Sequence, residues 1–122
     1  MEVKEQSVAE ATFLAISGRC DAETARDFEA ALIATLDRGV RALALDLSGL
    51  EYVSSAGLRI LLLAAKRTKA EGAPLTLFGL QPQVAKVLEL SGFARLLPIA
   101  GDREEALAAI GAASPARGPR SS

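Results

Sequence analysis

Two adjacent hydroxyls raise the first chemical question in this chain. Ser54 and Ser55 are followed by Ala56 and Gly57, and then by the apolar run from Leu58 to Ala65. Hydroxyls and small residues where a loop becomes a helix can cap the helix, hold an anion or take a covalent modification. As a cap, one hydroxyl accepts a free backbone N–H and stabilises the helix by about 1 kcal/mol. As a nucleophile, a serine needs a base, and the chain has no histidine and no Gly-x-Ser-x-Gly elbow. As a phosphorylation site, it gains about 1.5 to 2 negative charges, which the start of a helix tolerates. The same charge forced under a protein partner costs several kcal/mol. A loss of about 3–4 kcal/mol lowers affinity by two to three orders of magnitude, enough for an on–off switch. The residues alone leave cap and switch both open.

Other chemistry is removed by composition. Cys20 is the single cysteine, so no disulfide can form within the chain. Without histidine, the usual zinc and catalytic-triad sets cannot be assembled, and the commonest general base near neutral pH is missing. No Gly-x-x-x-x-Gly-Lys-(Ser/Thr) loop is present either. No catalytic residue, metal site or cofactor is therefore expected. Fourteen Lys and Arg against fifteen Asp and Glu leave a net charge of -1, which argues against a nucleic-acid surface. Four Phe, one Tyr and no Trp offer few stacking platforms for single strands. The first twenty residues carry Glu2, Lys4, Glu5 and Glu10, unlike a secretory leader, and Leu58–Ala65 is far too short to cross a bilayer. A cytoplasmic protein without direct membrane insertion is the expectation.

At 122 residues the chain has the length of a single domain, and its core must be mainly Leu, Ala, Val and Ile. Val3 and Val8 suggest a short first strand, and Ala11–Ile16 a better one, followed by a turn at Gly18, Arg19 and Cys20. Asp21 is placed to cap the next helix. Ala25, Phe28, Ala31, Leu32 and Leu36 recur at intervals of three and four, giving an amphipathic helix over Ala22–Asp37 with Gly39 as its stop. Arg41–Leu47 reads as a buried strand, and a short polar loop then leads to Ser55. The central helix should run to Gly72, with Lys66, Arg67 and Lys69 suiting the negative end of its dipole. Pro74–Gly79 is the next strand, Pro82–Leu90 the next helix, Leu96–Ile99 a short edge strand, and Asp102 the cap of a last helix through Ile110. Residues 112–122, rich in Ala, Ser, Pro, Gly and Arg, are expected to form a disordered tail after a domain spanning 1–111. The order β-β-α-β-α-β-α-β-α predicts an α/β layer fold with a largely parallel or mixed sheet.

The central helix cannot bury all of Ile60–Leu63 on one face. At about 100° per residue, Leu58, Ile60, Leu61, Leu62, Ala64 and Ala65 share one broad sector. Ser55, Ala56, Arg59, Leu63, Lys66 and Arg67 fall on the other. Leu63 there is either a singly exposed leucine or, with Ala56, the dry centre of a docking surface rimmed by Arg59 and Lys66. Ser55 stands at the top of that stripe. Arg59, one turn on, can screen a phosphate at Ser55.

Three segments carry a family resemblance. Asp46 to Leu58 reads Asp-Leu-Ser-Gly-Leu-Glu-Tyr-Val-Ser-Ser-Ala-Gly-Leu and resembles the signature of STAS domains, named for sulfate transporters and anti-sigma factor antagonists. Gly18 to Thr24 resembles the family's Gly-x-x-Asp-x-x-(Ser/Thr) turn, and Ser91-Gly92-Phe93 a further feature. The similarity spans about residues 3–111. It implies a central mixed sheet of about five strands, with about four helices packed mainly on one side. For stand-alone bacterial members it implies an anti-sigma factor antagonist and no enzyme activity. Such a protein, unphosphorylated, binds an anti-sigma factor with a GHKL-type serine kinase domain and so releases a sigma factor. The kinase ends binding by phosphorylating a serine at the start of the helix after the third strand, and a PP2C-type phosphatase restores it. The phosphoacceptor falls on Ser55, with Ser54 the second choice. The family's usual Asp before that serine is Ser54 here, and its Ser or Thr after it is Ala56. Asp21 matches the turn aspartate near the acceptor. The implied partner surface is Asp21, Ser54, Ser55, Ala56 and Gly57, extended along the helix by Arg59, Leu63 and Lys66. The alternative role is an accessory STAS subunit of a phospholipid-trafficking ABC transporter, or a stressosome-type scaffold. Some transport-associated members share a Ser-Ala-Gly-Leu run like residues 55–58.

Overall fold

The computed structural model describes residues 1–8 and 10–113. Nine elements follow the expected order: β1 Glu2–Val8, β2 Ala11–Cys20, α1 Ala25–Asp37, β3 Leu43–Val53, α2 Ser55–Ala70, β4 Leu75–Phe78, α3 Pro82–Ser91, β5 Ile99–Ala100 and α4 Arg103–Ala113. The five strands form one sheet in the order β1-β2-β3-β4-β5. β1 and β2 are antiparallel and the other pairs parallel, so the sheet is mixed.

Alternation along the strands divides the core into two layers. Leu14, Ile16, Leu43, Leu45, Leu47 and Leu77 face α1, α2 and α3 through Phe28, Leu32, Leu58, Leu61, Val84 and Leu88. Phe13, Ala44 and Phe78 point the other way and are covered by Ala106 and Ile110 of α4. Three helices on one face and one on the other match the expected α/β architecture. The strand segments covered on both faces, Phe13–Ile16 of β2, Leu43–Leu45 of β3 and Leu77–Phe78 of β4, are apolar runs, as a sheet buried on both sides requires.

Several boundaries differ from the sequence reading, each for a physical reason. Gly18-Arg19-Cys20 is strand, not turn. Gly18 takes φ 94° and the β2–β3 register shifts there, after which pairing resumes at Arg19–Tyr52 and Cys20–Val53. The polar loop expected after Leu47 is likewise strand. Gly49, Leu50, Tyr52 and Val53 keep partners on β2, and Leu50 and Val53 are buried. The helix expected from Ala22 begins at Ala25, because Asp21 and Thr24 draw the intervening residues into a turn. The edge strand is Ile99–Ala100 rather than Leu96–Ile99. Leu96 and Leu97 follow a 3-10 turn at Phe93–Arg95, and Leu97 enters the core. The last helix runs on to Ala113, so residues 111–113 are helical. The rest of the expected tail, 114–122, lies outside the described residues.

Candidate functional site

The site lies at the carboxyl ends of β2 and β3. Cys20 and Val53 are the last residues of their strands and pair directly, and Ser54 N donates to Cys20 O at 2.8 Å. That contact brings the Asp21 turn beside the start of α2.

Asp21 organises its turn with one oxygen. Its Oδ1 accepts from the backbone N–H groups of Glu23 (3.0 Å) and Thr24 (2.9 Å), and it lies 3.0 Å from the Thr24 hydroxyl. Thr24 Oγ1 in turn accepts from Asp21 N and donates to Arg19 O at 2.8 Å. These bonds favour the carboxylate: the Thr24 N–H and then its hydroxyl hold the Asp21 pKa below its ordinary value. Asp21 therefore caps the turn that leads into α1, while the helix's own first residue is reached through Thr24.

The two serines have separate environments. Ser54 is extended, at φ -87° and ψ 175°, and its Oγ accepts from Gly57 N at 3.3 Å, so Ser54 is the cap of α2. Ser55 is the first residue of the helix and exposed, and its hydroxyl has no hydrogen-bond partner among the described residues. Cap and free hydroxyl fall on different residues.

Gly57, one of the expected partner-binding residues, is buried. A Cβ there would meet Val53 Cγ2 at 2.7 Å and Cys20 Sγ at 2.8 Å. Only glycine lets the first turn of α2 lie this close to the strand ends. Cys20 is 1% exposed. Burial, and secondarily the charge of Asp21, push its thiol up to about 11, so it is protonated near neutral pH.

Below Ser55, α1 and α2 flank an open groove of about 310 Å³. Ala22, Ala25, Arg26 and Glu29 line one side, and Ala56, Arg59, Ile60 and Leu63 the other. Leu63 is half-buried and forms a wall of this groove, so it is neither fully exposed nor part of the core. Lys66 is exposed further along α2 and does not line it. Arg67 leaves the docking stripe: it is half-buried and bonds to Asp37 of α1 and to Glu71, both at 3.1 Å. Leu62 and Ala65, assigned to the buried sector, are half-buried, while Thr68 is buried with its hydroxyl on Ala64 O. Arg26 and Glu29 were not among the expected site residues. The spacing Ala25, Arg26, Glu29 puts them along one edge of α1, but which helix faces that edge is a matter of packing that the sequence does not carry.

Among the described residues no helix is long and apolar enough to cross a membrane, and no group of three or more Cys, Asp or Glu could hold a metal.

BtrV of Bordetella bronchiseptica, designated an anti-sigma factor antagonist, is 43% identical over 100 residues, covering 82% of this chain and 86% of BtrV. A Thermotoga maritima protein assigned as an anti-sigma factor antagonist superposes with a TM-score of 0.83 at 22% identity, covering 88% and 93% of the two chains. The Bacillus cell fate determinant SpoIIAA in its phosphorylated form superposes with a TM-score of 0.66 at 20% identity, covering 88% and 97%. These two show likeness of fold. The family model described as Mlab, STAS domain, matches residues 3–98, from β1 through the segment just before β5 and including the whole Asp21–Ser55 rim, and the chain belongs to the STAS domain family.

Proposed function

We propose that this protein is an anti-sigma factor antagonist whose binding surface is the rim around Ser55 and the groove below it. In this reading the unphosphorylated chain binds an anti-sigma factor that carries a GHKL-type serine kinase domain, and so releases a sigma factor. Phosphorylation of Ser55 ends binding, and a PP2C-type phosphatase restores it. The role is one of binding, not catalysis, in the cytoplasm. The designation of BtrV supports the class of partner.

One observation carries the choice of Ser55. Its hydroxyl is exposed and unengaged at the first position of α2, whereas the Ser54 hydroxyl is occupied by Gly57 N. A phosphate on Ser55 leaves the cap intact, so it can be added without unfolding the helix. It also puts about two negative charges beside the apolar lining formed by Ala56, Ile60 and Leu63. A partner seated there must desolvate that charge, which is the physical cause of release.

Titration of Ser55→Asp against the cognate anti-sigma factor tests the reading. Affinity should fall at least about a hundredfold relative to the parent chain, while Ser55→Ala binds normally. Equal binding by Ser55→Asp and the parent removes the switch.

A further inference from the structure

The eight arginines of the described residues fall into three groups. Arg38, Arg41 and Arg67 are held by Glu5, by Glu10, and by Asp37 with Glu71. Arg19 and Arg103 lie over the rings of Tyr52 and Phe13, at 4.3 and 4.4 Å. Arg26, Arg59 and Arg95 have neither an acidic partner nor a ring among the described residues, and of these Arg26 and Arg59 line the α1–α2 groove. A hollow of about 360 Å³ on the α4 face is different. Its charged groups are taken, with Lys4 on Glu2, Glu5 on Arg38, Asp46 on Ser48 and Arg103 on Gln6. Two unpaired like charges beside one groove repel each other and add nothing to folding. What sets these two apart is that both stand at one groove, which Arg95 does not.

Arg59 has two places to go. It lines the groove, yet it is also four residues after Ser55 on α2, where side chains lie on one face with Cβ atoms about 5–6 Å apart. Long helical side chains lean toward the helix N-terminus, so the Arg59 guanidinium sweeps the surface over the first turn, where Ser55 stands. Arg26 is on α1 and has no such reach along α2.

We propose that Arg59 is a switched cation: unmodified, it stands with Arg26 at the groove, and a phosphate on Ser55 draws it off into an ion pair along α2. This rests on the reading of Ser55 as the modified residue and adds how the groove is changed. Modification then does two things at once. It places charge at the rim, and it leaves Arg26 as the groove's single free arginine, beside Glu29. A partner carboxylate that docks between two guanidinium groups loses one of them.

The test uses the full chain with phosphoserine installed at position 55 during synthesis, so its outcome does not depend on any kinase. The second ionisation of the phosphate is followed by 31P NMR against pH at low salt. The other charged groups of the Asp21 turn, α1 and α2, among them Asp21, Glu23, Glu29 and Lys66, are the same in every sample. The changes between variants therefore read the arginines. Arg59→Ala should raise the phosphate's second pKa by about 0.5, because the dianion loses its nearest cation. Arg59→Lys should keep it near the parent value, and Arg26→Ala should move it less than half as far as Arg59→Ala does. Both arginines are exposed, so neither change disturbs the core. The same pKa in the parent and Arg59→Ala overturns the proposal. An Arg26→Ala shift equal to that of Arg59→Ala also overturns it, since the phosphate would then feel the whole groove rather than one paired side chain.

Discussion

The backbone N–H of Ser54 donates to the carbonyl oxygen of Cys20 at 2.8 Å, and this bond sets the Asp21 turn and the start of α2 side by side. Asp21 follows Cys20 and Ser55 follows Ser54, so one ladder contact at the end of the sheet fixes the separation of the turn carboxylate and the free hydroxyl. The site thus depends on β2 and β3 continuing to Cys20 and Val53. Had either strand stopped at its first polar residue, Asp21 and Ser55 would belong to independent loops.

The division of labour between the serines can be separated by stability. Ser54→Ala removes the acceptor for Gly57 N and should cost about 1 kcal/mol in urea unfolding, the usual value of a helix cap. Ser55→Ala should change stability by less than about 0.5 kcal/mol, as for an exposed surface residue without partners. Equal losses at the two positions would contradict the assignment of Ser54 as cap.

Gly57→Ala sets helix propensity against packing. Alanine gains up to about 1 kcal/mol in a helix interior, but its methyl would overlap Val53 and Cys20. Overlap with two core side chains should win, for a net loss of about 1–3 kcal/mol. Adding Cys20→Ala removes the sulfur that the new methyl meets at 2.8 Å. The double variant should therefore be more stable than the sum of the single changes, which a thermodynamic cycle measures.

Cys20 also gives a pH signature. Burial raises its folded pKa from an ordinary 9.0 to about 11. Between those values the unfolded chain has lost the thiol proton while the folded chain keeps it, so the folded state binds more protons and stability falls as pH rises. Urea midpoints measured from pH 8 to 11 should show this extra decline in the parent, and Cys20→Ala should lack it. Tyrosine and lysine titrations are common to both proteins and cancel in the difference.

Asp21 titrates with the opposite sign. Its folded pKa is lowered below 3.8 by the Thr24 N–H and hydroxyl, so its contribution is present above the unfolded value and lost as pH falls through the folded one. Asp21→Asn keeps an acceptor oxygen for Glu23 N and Thr24 N, whereas Asp21→Ala keeps none. The melting temperature at pH 7 should fall more for Asp21→Ala than for Asp21→Asn. Equal losses would show that charge, not acceptor geometry, holds the turn.

Much of this was legible in the residues. Periodicity placed α1 and α2, proline and glycine placed the ends of α3, and apolar runs placed β2, β3 and β4. The errors in the strands next to the site share one cause: polar residues that are strand because the β2–β3 ladder runs on through them. Ser48, Gly49, Glu51 and Tyr52 read as loop by composition, and so did Gly18 and Arg19. Their strand state comes from the shifted β2–β3 ladder, a non-local fact. Reading α2 by angle separated Arg59 and Leu63 from the core but could not show which helix lies beside them. The partner edge of α1, with Arg26 and Glu29, entered only once the packing was known. Ser54 and Ser55 were indistinguishable as residue types, and the backbone conformation at Ser54 decided which is the cap.

The central claim is that Ser55 is the switch residue, and mass spectrometry tests it most directly. The full chain is incubated with a GHKL-type anti-sigma kinase from the same genome and ATP, and the peptide containing both serines is sequenced. The account predicts a single phosphate on Ser55, none on Ser54, and loss of the kinase from the modified chain. A phosphate on Ser54, or an unmodified peptide after reaction with every such kinase, would contradict it.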